Sequence, residues 1–373
     1  MKIIRIILLP ISYLYGAIVA IRNLLYDFRI FSSKTFGVNI ISVGNLSVGG
    51  TGKTPHIEYL IRLLNSHVKD DKTETTNLAT LSRGYKRKTT GFLIANENST
   101  ALQVGDEPLQ FKKKFPWLCV SVSEDRTKGV HYLLDEFPEI NTILLDDAFQ
   151  HRKIKPDISI LLTDYYNLYT DDYVVPCGRL REFKSGSSRA DIIIVTKTPK
   201  LFTPLERRIV KEQLQPETYQ NVYFSYIEYG KFTPLLKSPT NISNDYYFDN
   251  QYFVILVTGI AKPQPLVEYI KSKTKNFQHI MFEDHHTYTT EDIKKIKNLF
   301  DNIAVENKIV LTTEKDAMRF YEKPLSDLII DLPMFYVPIE IKFHEKDNEL
   351  FDNQILEHVK RNTINSELHK RQH

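Results

Sequence analysis

Residues 43–55 read Val43-Gly44-Asn45-Leu46-Ser47-Val48-Gly49-Gly50-Thr51-Gly52-Lys53-Thr54-Pro55. A β-branched apolar run over residues 38–43 leads into this glycine-rich loop, and Pro55 opens an amphipathic stretch over residues 55–67. A strand, a loop and a helix N-terminus in that order aim backbone N–H groups and the positive end of a helix dipole at phosphates. Against the pattern G-x-x-x-x-G-K-[ST], Ser47 stands at the first glycine, while Gly49 through Thr54 keep every group that touches phosphate. Gly49, Gly50, Thr51 and Gly52 then form a nucleotide cradle. Lys53 reaches the β- and γ-phosphates, and the Thr54 hydroxyl is a Mg²⁺ ligand.

Outward from the loop, short β-branched runs alternate with longer amphipathic ones. Strands are predicted at residues 38–43, 78–82, 118–122, 142–146, 158–162 and 191–196, with helices near 55–67, 108–114, 126–137 and 204–213. Near-continuous apolar strands separated by helices predict an α/β fold, a P-loop NTPase-like parallel sheet covered by helices on both faces. Function should gather at the carboxyl ends of its strands. A polar stretch at 233–250 reads as a boundary; beyond it, runs at 252–258, 279–282 and 308–312 alternate with helical patterns at 266–273 and 290–302. The expected organisation is an N-terminal membrane-associated helix in 1–35, a nucleotide-binding domain in 36–232, the boundary segment, and a second, smaller α/β domain in 251–373 with a frayed polar tail from residue 360.

Composition supports an enzyme-sized globular chain: 373 residues, 42% hydrophobic and 25% charged. Two cysteines, Cys119 and Cys177, with no C-x-x-C pair, argue against a disulfide framework or a structural zinc site and fit a reducing cytoplasm. With 49 basic against 46 acidic residues there is no field that would hold nucleic acid. The basic excess is local: Lys2, Arg5, Arg22, Arg29 and Lys34 stand against Asp27 alone in residues 1–35.

That same segment holds the longest apolar run, IILLPISYLYGAIVAI at residues 6–21. It is shorter than the roughly 18–20 residues of a spanning helix. No small-x-small cleavage site follows it, and the amphipathic pattern continues through Lys34, so a cleaved signal is not expected. Tyr13 and Tyr15 suit the headgroup zone and the flanking cations suit anionic lipid. The segment is therefore expected to lie on the cytoplasmic leaflet, as a peripheral helix or a single anchor.

A P-loop needs a carboxylate at a nearby strand end to hold Mg²⁺. Asp146 and Asp147 end the run Thr142-Ile143-Leu144-Leu145 and supply two. Gly105-Asp106-Glu107-Pro108 sets a carboxylate pair before a helix, and Glu283-Asp284-His285-His286 follows a strand of the second domain. Taken alone, the first reads more readily as a capping turn and the second as a solvated loop. Val195-Thr196-Lys197-Thr198-Pro199 is close to a guanine motif of the [NT]-K-x-D kind, but Pro199 replaces the aspartate, which disfavours GTP.

Read together, Val43 to Pro55, Leu81-Ser82-Arg83-Gly84-Tyr85, Val104-Gly105-Asp106-Glu107-Pro108, Asp146-Asp147-Ala148-Phe149-Gln150-His151, Pro176-Cys177-Gly178-Arg179-Leu180-Arg181-Glu182 and Thr313-Glu314-Lys315-Asp316-Ala317 resemble the tetraacyldisaccharide 4′-kinase family of the lipid A pathway. The resemblance implies transfer of the γ-phosphate of ATP to the 4′-hydroxyl of a tetraacyl glucosamine disaccharide 1-phosphate, a glycolipid, at the cytoplasmic face of the inner membrane. It implies ATP and Mg²⁺ as cofactors. By that resemblance Asp106 is the catalytic aspartate, His285 its partner with His286 directly beside it, and Asp146 and Asp147 the Mg²⁺-associated pair; the Glu182 loop falls near the acceptor. Ala148 and Arg179 stand where the family has Gly and Pro, and Thr258-Gly259-Ile260-Ala261-Lys262-Pro263 replaces its G-I-G-N-P. With phosphate donor and base on different domains, nucleotide binding is expected to swing the second domain toward the first and close the site. The alternative is a P-loop ATPase that cycles on and off membranes without a lipid acceptor.

Overall fold

The computed structural model describes residues 2–70, 77–236 and 242–371. In chain order its elements are α1 (Lys2–Asp27), β1 (Asn39–Asn45), α2 (Lys53–Asp70), β2 (Asn77–Ser82), β3 (Leu93–Ile94), α3 (Ala101–Val104), α4 (Asp106–Lys114), β4 (Cys119–Val122), α5 (Arg126–Glu136), β5 (Ile140–Asp146), β6 (Ile158–Asp164), β7 (Ile192–Thr196), α6 (Pro204–Leu214) and β8 (Asn221–Tyr229). They continue with β9 (Thr233–Pro234), α7 (Asn244–Asp249), β10 (Phe253–Thr258), α8 (Gln264–Lys273), β11 (Phe277–Met281), α9 (Thr290–Asn302), β12 (Lys308–Thr313), α10 (Glu314–Phe320), α11 (Leu325–Leu328), β13 (Met334–Val337), β14 (Ile339–Phe343) and α12 (Asp347–Arg371).

Among the described residues, the larger sheet has nine strands in the order β14-β8-β7-β6-β1-β5-β2-β4-β3. Every neighbouring pair is parallel except the two edges, where β14 lies antiparallel to β8 and β3 to β4. Strands β1, β5 and β6 are buried along nearly their whole length because helices cover both faces. On one face α2 buries Ile57, Leu60, Ile61 and Leu64, a helical stripe; on the other α5 buries Val130 and Leu133. β1 sits between β5 and β6, so the chain leaves it in one direction and returns on the other side, and the loop after it opens at the sheet's switch point.

The smaller sheet runs β11-β10-β12-β13-β9. One buried cluster joins Ile41, Val43 and Ile57 of the larger unit to Ile255, Ile293 and Phe320 of the smaller. The stretch 233–250 is where the chain enters this second sheet, with β9 and α7 inside it; residues 237–241 lie outside the described residues. The organisation expected at 251–373 differs in one respect. After β13 the chain crosses back, β14 joins the larger sheet, and α12 packs on α2, β1, β8 and β14. The tail from residue 360, expected to fray, continues that helix to Arg371. A five-residue strand's periodicity does not encode which sheet it joins, so the return is invisible to pattern reading.

α1 is a 26-residue helix in which Leu8–Asp27 is long and apolar enough to cross a membrane by length and composition. It touches the body along a seam of small residues. Ser12 and Gly16 are buried, and a Cβ on Gly16 would stand 2.4 Å from the Phe183 ring. Ile11, Leu14, Ile18 and Ile21, on the other side, are each more than half exposed.

Candidate active site

The phosphate loop is clamped at its entrance. Leu46 and Val48 exchange backbone hydrogen bonds with Arg181 and Arg179 (2.7 Å each), and Gln150 Nε2 donates to the Asn45 carbonyl at 2.9 Å. Gly49 and Gly52 take φ of +120° and +89°, which side chains rarely adopt, so glycine is required at both. Lys53 and Thr54 form the first turn of α2. Lys53 Nζ lies 3.6 Å from Asp147 Oδ1 and 3.5 Å from Asn45 Oδ1.

β5 delivers the carboxylate pair beside that lysine, with Asp146 in register with Val43 of β1. Asp147 turns out of the strand at φ +50°, its N–H tied to the Val43 carbonyl at 3.0 Å. Burial would raise the Asp147 pKa, but the Lys53 and Arg181 charges, with two hydrogen bonds from Arg181 at 3.0 and 3.1 Å, hold it below the usual range. Asp146 is buried, and burial followed by the charges of Glu107 and Asp147 pushes its carboxyl up. Asp146 Oδ1 has no hydrogen-bond partner among the described residues. An orphaned, buried carboxylate oxygen beside a phosphate loop fits a cation. Among the described residues no three His, Cys, Asp or Glu side chains are grouped to hold a metal unaided. The rim therefore suits an ion that brings phosphate and water oxygens as its remaining ligands, as Mg²⁺ does.

Asp106 and Glu107 open α4, and the local chain explains why two motifs far apart in sequence meet here. Gly105 (φ +95°) and Gly84 (φ +71°) pack against each other; a Cβ on Gly105 would lie 3.2 Å from the Gly84 Cα. Across from them the loop after β11 presents His285 at φ +61°, its N–H bonded to the Gly259 carbonyl at 3.0 Å. His285 Nδ1 lies 3.2 Å from Asp106 Oδ2, and Tyr85 meets the imidazole edge-on at 5.5 Å. Burial opposes ionisation of Asp106, but hydrogen bonds from His285 and Arg319, with the charges of Arg319 and Lys315, bring its pKa down to about 2.

Two cations on α10 complete this corner. Lys315 Nζ approaches His285 Nε2 at 3.2 Å and Glu107 Oε1 at 3.9 Å, while the Arg319 guanidinium pairs with Asp106 and donates to the His286 carbonyl at 2.6 Å. Neither had been assigned a role from sequence. The available signal was their i, i+4 spacing on a helix capped by Thr313, whose hydroxyl accepts from the Asp316 N–H at 3.1 Å. His286 does not share the site: its Nε2 pairs with Asp292 at 2.9 Å, at the start of α9. Glu182 is buried and accepts hydrogen bonds from Arg189, Gln150 and Asn23 of α1 (2.9, 3.1 and 2.8 Å), an anchor that sets the loop carrying Arg181. Of the departures from the family pattern, Ala148 is buried and Arg179 pairs outward with Asp172 at 2.9 Å. Gly259 still supports His285.

The phosphate loop and carboxylate rim come from the larger unit and the Asp106–His285 pair from both, and the two groups are linked by the charge of Glu107 acting on Asp146. The family model described as tetraacyldisaccharide-1-P 4′-kinase matches residues 4–360. The chain belongs to this family. It is 42% identical to the tetraacyldisaccharide 4′-kinase of Bacteroides thetaiotaomicron over 372 residues, covering 98% of this chain and 96% of the relative. It is also 42% identical to that of Flavobacterium johnsoniae over 369 residues, covering 97% and 99%. The fold is similar to that of LpxK from Aquifex aeolicus, whose crystal structure is an "apo" form in complex with ATP: TM-score 0.72 and 30% identity over 95% of this chain and 99% of that one.

Proposed function

We propose that this chain transfers the γ-phosphoryl group of ATP to the 4′-hydroxyl of a tetraacyl glucosamine disaccharide 1-phosphate, at the cytoplasmic leaflet of the inner membrane. The observation that supports the reading is a phosphate loop with an acid pair beside it and a carboxylate–imidazole pair whose neighbour Glu107 lies within electrostatic reach of Asp146. Lys53 meets Asp147 at 3.6 Å, Lys315 links Glu107 to His285, and His285 meets Asp106 at 3.2 Å.

Phosphoryl transfer asks a protein mainly for alignment and charge neutralisation. The loop amides and Lys53 hold the triphosphate. Thr54, Asp146 and Asp147 would hold Mg²⁺, which supplies neutralisation of phosphate charge when bound. Arg181 restrains Asp147, and Arg126 fixes the backbone behind both aspartates by donating to their carbonyls at 3.4 Å each. Asp106 stays ionised and orients His285 through Nδ1, and the pair together accepts the sugar hydroxyl's proton. Arg319 and Lys315 keep that pair in place until the hydroxyl arrives.

The acceptor's acyl chains belong outside the protein, and α1 offers their place. A cavity of about 390 Å³ opens between α1 and the loop over residues 170–184; Leu9, Val174, Leu180 and Phe183 form its apolar wall, and Asp171, Asp172 and Lys184 give it a charged one. Leu180 bridges to Ser47 of the phosphate loop, so this cavity adjoins the chemistry. Incubating the protein with γ-labelled ATP, Mg²⁺ and the tetraacyl disaccharide phosphate should carry label into the lipid. Label appearing only as free phosphate would overturn the reading in favour of an ATPase.

A further inference from the structure

The function above uses the amide side of the phosphate loop and leaves its carbonyl side unexplained. Each carbonyl from Gly49 to Gly52 is met by a side chain. Asn45 Nδ2 lies 3.5 Å from the Gly49 oxygen, and the Lys197 ammonium donates to the Gly50 oxygen. Thr196 Oγ1 donates to the Thr51 oxygen at 2.9 Å, and His56 Nδ1 lies 2.7 Å from the Gly52 oxygen. A carbonyl only accepts, so His56 carries its proton on Nδ1, and Nε2 accepts from the Ser225 hydroxyl at 3.0 Å. Burial keeps this histidine neutral, with its pKa lowered to about 4.

These contacts come from rigid places. Asn45 ends β1, Thr196 ends β7, Ser225 is fully buried in β8, and Lys197 follows β7 at φ +59°. Such a backbone is costly for lysine. It places Nζ between the Gly50 carbonyl and Asp164 Oδ2 (3.0 Å). A peptide unit is planar, with its N–H opposite its carbonyl, so tethering the oxygen of one residue aims the N–H of the next to the other side. Thr196 on the Thr51 oxygen thereby sets the Gly52 amide, and His56 on the Gly52 oxygen sets the Lys53 amide. Lys197 and Asn45 hold the preceding turn, which the Thr51 N–H closes on the Gly49 carbonyl at 3.1 Å.

We propose that Thr196, Lys197 and His56 are positioning residues that hold the phosphate loop by its carbonyls, so that its amides face the nucleotide before it arrives. Preorganised donors cost no rearrangement at the moment of binding or reaction. The motif Val195-Thr196-Lys197, which in another setting would read a base, here braces the loop. The proposal rests on residues 49–54 being the nucleotide site.

The test is steady-state kinetics on the full chain. Thr196→Val keeps the volume and removes the donor; it should raise the KM for ATP about tenfold, the worth of one buried hydrogen bond, with the KM for the lipid acceptor unchanged. Thr196→Ser should return the ATP KM to within about threefold of the starting protein. Lys197→Met, at a partly exposed position, should shift the ATP KM in the same direction. A wild-type ATP KM in both Thr196→Val and Lys197→Met overturns the proposal, as does a Thr196→Val protein that loses only folded yield. Lys53→Ala separates the two layers. If it is crippled while the brace variants are normal, the brace alone fails; if it too is normal, the loop is not the nucleotide site.

Discussion

Two adjacent histidines have different partners, and the proposed chemistry needs only one of them. His285 faces Asp106, whereas His286 faces Asp292 and holds the start of α9. His285→Ala should therefore lower kcat by about 10²-fold or more, the range of general acid–base catalysis, while His286→Ala should leave kcat within about threefold and cost about 1 kcal/mol of stability. Equal losses of turnover would count against this division. Asp106→Asn preserves shape and removes charge. It should lower kcat by roughly 10²–10⁴-fold with ATP binding intact, measurable by nucleotide titration alongside turnover. In sequence the two histidines are equivalent because proximity to Asp106 depends on a left-handed turn at His285 that no neighbouring residue announces. Lys53, Asp146 and Asp147 were readable earlier, since a phosphate loop and an apolar strand ending in acids carry local signals.

Three helices from both units meet at a buried charge cluster. Lys114 at the end of α4 pairs with Glu58 of α2 at 2.7 Å and Glu314 of α10 at 2.6 Å. Burial, then the charge of Glu58, pushes the Glu314 carboxyl up from 4.5 to about 7. A carboxyl raised in the folded state favours folding below its unfolded pKa, and that contribution is lost as pH rises through about 7. The Tm difference between Glu314→Gln and the starting protein should accordingly move in the variant's favour from pH 5 to pH 8; a difference flat with pH would refute the assignment. Lys114→Met should cost about 3 kcal/mol at pH 8 by leaving Glu314 without its cation while Glu58 keeps Arg62, and less at pH 5 where Glu314 takes a proton. The strands of the first sheet up to β7, apart from the unpredicted two-residue edge strand β3, stand within about two residues of their sequence prediction because each carries a run of apolar residues. β14 and the return of α12 escaped because their partner strand β8 lies more than a hundred residues away in the chain, and the four-residue β13, although it pairs with the nearby β12, is too short to show a period.

The two faces of α1 give the molecule separable contacts with its own body and with its surroundings. Asn23 bonds Glu182 at 2.8 Å and Asp27 pairs with Arg152 at 2.7 Å, so removing the helix outright would disturb the loop bearing Arg181 as well as any lipid contact. Replacing Leu14, Ile18 and Ile21 together by Glu alters the exposed side alone. This variant should fail to float with anionic liposomes yet keep turnover within about threefold on a detergent-dispersed acceptor; unchanged flotation would place the membrane contact elsewhere.

The smaller sheet is an insertion between two adjacent strands, since β8 and β14 pair with each other while β9 to β13 are made between them. Two polypeptide crossings, one at residues 230–232 and one at Pro338, therefore join the halves, and any opening must pivot about the line through both. The same arrangement orders assembly during synthesis. The imidazole half of the site leaves the ribosome before the edge strand that seals the nucleotide-binding half, so a nascent chain truncated before Ile339 carries the reactive side chains on an unsealed scaffold.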